Sequence, residues 1–233
     1  MRHARKLFTI GLFFLMLTKT QAERKTIAER IAEFGAIVQQ RLEPKFRAAG
    51  VPYPPSRVTL LGLKRERRLE VYAADAKGAP RFICAYPVLA ASGTLGPKLR
   101  EGDRQVPEGI YGVRELNPNS RFHLSLWVDY PNAFDRARAA ADGREKLGGE
   151  IMLHGEAASK GCFAMGNPAA EDLFVLAALT GIKNVTVIFA PVDFRTESLG
   201  DLPRGAPAWT RDLYRQIERE LTRFPRPAPP SQN

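Results

Sequence analysis

The chain is poor in cysteine, with only Cys84 and Cys162 among its 233 residues. Small exported proteins without a large core are commonly held together by several disulfides, so two cysteines exclude a scaffold of that kind. A single disulfide between the two remains an alternative, and it would leave no free thiol. No CxxC or HxxxH spacing is present, which argues against a metal site built from the four candidate ligands His123, His154, Glu156 and Cys162.

Long apolar runs are also missing, because none approaches the roughly 20 residues that a membrane-spanning helix requires. A shorter apolar stretch covers residues 7–17, follows a basic segment at residues 2–6, and precedes Thr20-Gln21-Ala22. This is the layout of a secretory signal peptide, and we predict cleavage after Ala22. An uncleaved anchor is the alternative. Both interpretations predict an exported protein, and we predict the periplasm as its location.

Acidic residues are outnumbered, since 35 Lys and Arg against 25 Asp and Glu give a formal net charge of +10. A basic exported chain suits a polyanionic surface such as a cell wall or anionic lipid head groups. Nucleic acid is the usual alternative partner, but the chain contains no recognisable nucleic-acid motif, so we predict no such partner. No internal repeat is present, and the length fits one domain with a sizeable core.

The apolar pattern predicts two amphipathic helices near the ends of the chain, at residues 24–49 and 208–224. A third helix is predicted to begin with Asn167 as its N-cap and to end at Gly181. Short β-rich runs predict seven strands, at residues 58–63, 69–73, 82–88, 110–114, 122–128, 151–154 and 184–190. The polar segment 131–149 is predicted to be an exposed helical excursion or a mobile flap.

These elements predict an α+β fold, a β-rich sandwich or barrel with a helix after Cys162 and flanking N- and C-terminal helices. The predicted organisation is a signal peptide, an N-terminal helix with a Pro-rich linker, the main domain, a C-terminal helical extension and a disordered tail. The corresponding ranges are residues 1–22, 23–56, 57–196, 197–224 and 225–233.

The segment from His154 to Cys162 carries the chemistry. His154 ends a predicted strand, and Cys162 follows eight residues later, directly after Gly161. A thiol attacks only as the thiolate, so it needs a base or positive surroundings. A loop that doubles back would bring the His154 imidazole to the sulfur. Lys160 and the predicted start of the next helix would add positive potential that favours the thiolate.

Other residues of this turn have expected supporting roles. The backbone N–H groups of Gly161 and Cys162 are candidate oxyanion donors, and Ser159 is a candidate orienting residue. Cys84 lies in the apolar run Phe82-Ile83-Cys84-Ala85-Tyr86, and we predict that it belongs to the core. His123 is an alternative base, although its predicted strand favours a partly buried structural role.

The two halves His154-Gly155 and Ser159-Lys160-Gly161-Cys162 resemble the active-site motif of the L,D-transpeptidase (YkuD-like) family. The following Phe163-Ala164-Met165 resembles its short-spaced, YafK-like branch. Two upstream blocks, residues 96–111 and 116–121, are similar to blocks of the same branch. One departure is Lys160, which stands where longer-spaced relatives have a second histidine.

The resemblance implies a cysteine enzyme of the cell wall, with Cys162 as nucleophile and His154 as general base and acid. Its substrates would be peptidoglycan stem peptides, joined to an amine of another stem or of a wall-anchored lipoprotein through a thioester. Candidate substrate-binding residues are Arg104, Arg121, Lys160 and Gly155, with ordinary solvated surface side chains as the alternative for both arginines. No cofactor or metal is implied, and we expect a monomer.

Two further functions stay open from the sequence. A hydrolase of the same fold would use the same Cys162 and His154 to release a wall-bound lipoprotein or to trim stems. A non-catalytic wall-binding module is the third candidate, although the intact His and Cys motif argues against it.

Overall fold

The computed structural model describes residues 24–197 and 200–227 of the chain. The predicted signal peptide, residues 1–22, lies outside the described residues, and so do residues 228–233 of the predicted tail. None of the helices in the part of the chain that the structure describes combines the length and apolar character that crossing a bilayer requires.

A mixed sheet of nine strands forms the centre of the described fold, in the order β3-β2-β1-β9-β5-β6-β7-β8-β4. Strand β1 pairs in parallel with β9, and β7 pairs in parallel with β8, whereas all other neighbours are antiparallel. The strands are β1 Val58–Leu63, β2 Arg68–Ala74, β3 Pro80–Pro87, β4 Ala90–Ala91, β5 Gly109–Ser120, β6 His123–Val128, β7 Met152–His154, β8 Phe163–Ala164 and β9 Val185–Ala190.

Four helices cover this sheet, which curves into a half-barrel. They are α1 Ile27–Ala48, α2 Ala133–Ala141, α3 Asn167–Thr180 and α4 Thr210–Leu221, and a 3-10 turn covers Ile182–Asn184. Helices α1 and α3 contribute to one apolar core, whereas α4 covers a second core that contains the fully buried Leu61 and Tyr72. The predicted α+β class is therefore confirmed.

Helix α1 braces the fold as the apolar stripe predicted, but only its second half is buried. A capping box between Thr26 and Glu29 starts the helix. Val38, Leu42 and Phe46 are buried, whereas Ile27 at the start of the stripe is 39% exposed. An ion pair between Arg41 and Asp172, with a distance of 2.7 Å, joins α1 to α3.

The predicted N-cap of α3 is wrong by one residue. Gly166 is the N-cap, with φ 78, and Asn167 is the first residue of the helix. The Asn167 side chain accepts the backbone N–H of Glu156 at 2.9 Å instead of capping the helix. Asn167 thus ties the helix to the loop that follows β7.

The segment 131–149 contains helix α2 and is tied to a neighbouring loop. Arg144 Nη1 donates to Leu99 O at 2.8 Å, and the N–H of Glu101 donates to Lys146 O at 2.9 Å. Of the two predicted interpretations, the helical one is confirmed.

A buried ion pair between Lys64 and Glu108 joins β1, the loop before β5 and α4. Lys64 Nζ lies 2.8 Å from Glu108 Oε1, and the two side chains are 6% and 0% exposed. Lys64 also donates to the backbone oxygens of Gly96 and Val106. Tyr214 from α4 donates to the second carboxylate oxygen of Glu108 at 2.8 Å.

Replacing Lys64 by methionine should destabilise the fold by about 3–5 kcal/mol, because the buried Glu108 carboxylate would lose its cation. Urea unfolding followed by circular dichroism measures the loss. The matched control is the double variant Lys64→Met/Glu108→Gln, which buries no unpaired charge and should recover more than half of the lost stability. Equal stability of the single and double variants would contradict the importance of this charge pairing.

Candidate active site

The sheet brings the two predicted reactive residues to neighbouring strands, one at the end of a strand and one directly before the next. His154 is the last residue of β7, and Cys162 directly precedes β8. The two strands run in parallel, with Leu153 opposite Phe163 and His154 opposite Ala164. Leu153 and Phe163 both belong to the main core. Because side chains alternate along a strand, His154 and Cys162 share the other face of this strand pair.

The His154 imidazole is buried, with 1% exposure, and is fixed by two contacts. Nδ1 lies 2.6 Å from the carbonyl oxygen of Gly155, and the ring stacks on Phe122 with centroids 4.5 Å apart. A carbonyl oxygen only accepts, so Nδ1 carries the proton and Nε2 keeps its lone pair. Burial lowers the pKa of His154, and the contact with Gly155 opposes this shift. The ring is therefore held as a neutral imidazole with Nε2 able to accept a proton.

The Cys162 side chain is also buried, with 6% exposure. Burial raises the pKa of the Cys162 thiol to about 11, with the Met152 N–H and Lys98 acting in the opposite direction. Sγ donates to the carbonyl oxygen of Glu150 at 3.5 Å, so the sulfur is a neutral thiol in this state. The expectation that its surroundings favour the thiolate is therefore wrong, and a base is needed to remove the proton.

Two backbone positions flanking β7, Glu150 and Gly155, have unusual conformation or packing next to the reactive residues. Glu150, which precedes β7, has a positive φ of 57, a left-handed conformation that is uncommon for residues other than glycine. Gly155 leaves no room for a side chain, because a Cβ there would lie 2.5 Å from Asn167 Oδ1 and 2.7 Å from the carbonyl oxygen of Phe122. The glycine of the predicted His-Gly pair is thus required by close packing behind the imidazole.

Serine hydroxyls accept both backbone N–H groups that were predicted as oxyanion donors. The Gly161 N–H donates to Ser92 Oγ at 2.6 Å, and the Cys162 N–H donates to Ser159 Oγ at 3.2 Å. Ser92 in turn donates to the carbonyl oxygen of Arg104 at 2.8 Å. Both predicted oxyanion donors are thus already bound to serine hydroxyls in this state, and their role toward an oxyanion stays a prediction. Ser159, which was predicted as an orienting residue, contacts the Cys162 backbone, because its hydroxyl also donates to Cys162 O at 2.7 Å.

The predicted binding residues lie around the turn, with exposed cationic groups. Arg121 lies over the Phe122 ring, 5.7 Å from its centroid, and Phe122 stacks on His154. The backbone of Arg104 lies next to Gly161, and the Arg104 side chain is exposed. Lys160 is also exposed. Their roles in binding stay predictions.

His123, the alternative base, and Cys84, the other thiol, have partners outside the reactive turn. His123 Nε2 lies 3.0 Å from Glu171 Oε1, and its ring meets Phe34 edge-on at 5.3 Å, as expected for a structural histidine. Cys84 is buried in the core on β3, and both cysteines are free, which argues against a disulfide between them. Among residues 24–197 and 200–227, no three His, Cys, Asp or Glu side chains are grouped as metal ligands.

Three site residues were missed by sequence reasoning: Phe122, Ser92 and Lys98. Lys98 is 7% exposed and donates to Asp103 at 2.5 Å. Lys98 lies in the upstream block 96–111, and Phe122 directly follows the block 116–121, so the family resemblance is the signal that pointed to these segments. Ser92 lies outside those blocks, and no sequence feature pointed to it.

The chain belongs to the L,D-transpeptidase catalytic domain family, named YkuD, whose sequence pattern matches residues 62–188. This match covers more than half of the chain and contains both His154 and Cys162.

Among curated relatives, the Escherichia coli K12 protein named "Putative L,D-transpeptidase YafK" is 38% identical over 113 residues, which are 48% of this chain and 43% of that protein. The match thus spans less than half the length of that relative.

Two solved structures are also similar. The helical cell shape determining protein Pgp2 from Campylobacter jejuni is 25% identical, with a TM-score of 0.47, over 58% of this chain and 48% of its own. Mycobacterium tuberculosis L,D-transpeptidase 1 is 12% identical, with a TM-score of 0.32, over 57% and 61%.

Proposed function

We propose that this protein is a periplasmic L,D-transpeptidase that acts on peptidoglycan stem peptides through a thioester on Cys162. The observation that carries the proposal is the shared strand face of His154 and Cys162 within the family domain, with His154 Nδ1 bound to the Gly155 oxygen. Family membership and the name of the YafK relative support the reaction class, and the resemblance of the motifs implies the peptidoglycan substrate.

The first half of the reaction forms the thioester. The Cys162 thiol turns from the Glu150 oxygen toward His154, whose Nε2 takes the proton as the sulfur attacks a stem carbonyl. The C–S bond forms and the carbonyl electrons move to its oxygen. When the tetrahedral intermediate collapses, the C–N bond breaks and the leaving amine takes the proton from His154.

The second half resolves the thioester. An acceptor amine from another stem, or from a wall-anchored lipoprotein, loses a proton to His154 as it attacks the thioester carbonyl. The C–S bond then breaks, and Cys162 recovers its proton from His154. Attack by water instead of an amine gives hydrolysis, so the same residues would serve the amidase alternative.

The developing oxyanion needs N–H donors, and in the structure both candidate N–H groups donate to serine hydroxyls. The Cys162 N–H is the better candidate, because its 3.2 Å bond to Ser159 is longer than the 2.6 Å bond between Gly161 and Ser92. We propose that the substrate oxygen replaces Ser159 Oγ on the Cys162 N–H. Arg121 and Arg104 are proposed to bind stem carboxylates from the rim of the site.

The test is incubation of the protein with purified muropeptides, followed by mass spectrometry of both the products and the tryptic peptide that contains Cys162. The proposal predicts a cross-linked product and a mass increase of one acylated stem on that peptide. A hydrolysed product with the same adduct would favour the amidase alternative. Binding to muropeptides with neither product nor adduct would overturn the enzyme proposal and favour the wall-binding module.

A further inference from the structure

A cavity lies next to the reactive turn, and neither His154 nor Cys162 lines it. Its volume is about 540 Å³, and it lies between the loop 94–105 and the turn 203–206. Gln105 lines the cavity, and its backbone oxygen lies 3.4 Å from where a Cβ on Gly161 would stand. The cavity and the reactive turn are therefore neighbours on either side of Gln105.

The cavity is lined by three arginines and one acid: Arg100, Arg144, Arg204 and Asp103. The Asp103 carboxylate already accepts four hydrogen bonds from the protein. It accepts Lys98 Nζ at 2.5 Å and the backbone N–H groups of Leu99, Arg100 and Gln105, each at 3.0 Å. Its charge is thereby offset by Lys98, so it does not neutralise the arginines.

Two of the three guanidinium groups keep an uncompensated charge. Arg144 pairs with Asp142 at 2.8 Å. Arg100 and Arg204 are exposed and form no ion pair with any residue in the described ranges. An arginine side chain binds a carboxylate through two parallel N–H donors, which makes carboxylate groups its matching ligands. The cavity therefore presents two unpaired carboxylate-binding groups.

We infer that this arginine-lined cavity binds the free carboxylates of a wall peptide while another part of the peptide, or a second stem, lies at Cys162. The inference rests on the proposed function for the identity of the ligand. Asp103 and Lys98 then act as a fixed frame that shapes the cavity without contacting the peptide. The geometry assigns Arg100 and Arg204 as the residues that contact the carboxylates.

Equilibrium binding of labelled muropeptides to the Cys162→Ala protein tests the cavity without turnover. Replacing both Arg100 and Arg204 by glutamine should weaken binding at least tenfold, because two charged contacts are lost. The matched control is Arg211→Gln/Arg226→Gln, which removes the same charge from two other exposed arginines and should change affinity by less than about twofold.

Chemical amidation of the peptide carboxylates completes the test. Amidation should weaken binding to the parent protein and have a much smaller effect on the cavity variant, since the interacting groups would already be missing. The inference is overturned if both proteins lose the same affinity on amidation, or if inorganic phosphate competes better than the peptide. Because this assay measures binding alone, absence of turnover in the wild type would defeat the proposed function and leave this result standing.

Discussion

Replacing Cys162 by alanine should abolish both the muropeptide products and the adduct, since the proposed reaction passes through a bond to its sulfur. The fold should survive, because the side chain is small and the turn is held by the Gly161 N–H bound to Ser92 and by the Ser159 hydroxyl bound to the Cys162 oxygen. Initial rates with purified muropeptides measure the loss, and circular dichroism checks that the protein is folded.

Cys84→Ala is the matched control, because it removes the other thiol from the core on β3. This variant should lose about 1 kcal/mol of stability and keep its turnover, since its sulfur only packs. Persistent product formation by the Cys162→Ala protein, or loss of activity in the Cys84→Ala protein with its fold intact, would show that the nucleophile is assigned wrongly.

The next largest effect is expected for His154→Gln, which should lower kcat by about 10²–10⁴-fold. The reason is the pKa of about 11 for the Cys162 thiol. At pH 7 such a thiol is ionised in only about one molecule in 10⁴. Without a base the protein would depend on this small fraction. Initial rates measured from about pH 5 to 10 give both the size of the loss and its pH dependence.

The direction of the pH effect differs between the two proteins. In the wild type the neutral imidazole is the active form, and burial lowers the pKa of His154 below its usual 6.5. Activity should therefore fall only as the pH drops below that value. In His154→Gln the rate should instead rise about tenfold per pH unit as the thiolate population grows toward pH 11.

His123→Gln serves as the control for this experiment, since His123 pairs with Glu171 and Phe34 rather than with the sulfur. It should retain turnover within a few-fold of the wild type. A larger loss in His123→Gln than in His154→Gln would move the base assignment to His123.

The fold was largely predictable wherever local patterns are strong. The run at residues 58–63 was predicted as a strand and is β1 Val58–Leu63, and the stripe at residues 24–49 predicted α1 Ile27–Ala48. Strands β4 and β8 were missed, because each has only two residues and the alternation that identifies a strand needs more. Strand β8 also follows a glycine-rich turn, a pattern that predicts a loop rather than a strand. The parallel pairing that brings Cys162 beside β7 was therefore not predicted.

The sequence predicted the two central residues of the candidate site but not the electrostatics around them. Spacing and motif pointed to His154 and Cys162, yet the pKa of the thiol follows from burial that only the folded chain defines. The contact between Ser92 and Gly161 joins residues 69 positions apart, and no local pattern reports such a contact. The local pattern also failed for Asn167, because its side chain accepts the backbone N–H of Glu156 instead of capping its own helix.

The burial of Cys162 has a consequence for the chemical durability of the protein. Thiolates attack peroxides and disulfides, so a sulfur that is protonated and enclosed reacts slowly with them. With its S–H group donating to the Glu150 oxygen, the sulfur keeps its proton, which slows the formation of sulfenic acid. We therefore expect Cys162 to stay reduced longer than an exposed cysteine under the same peroxide exposure.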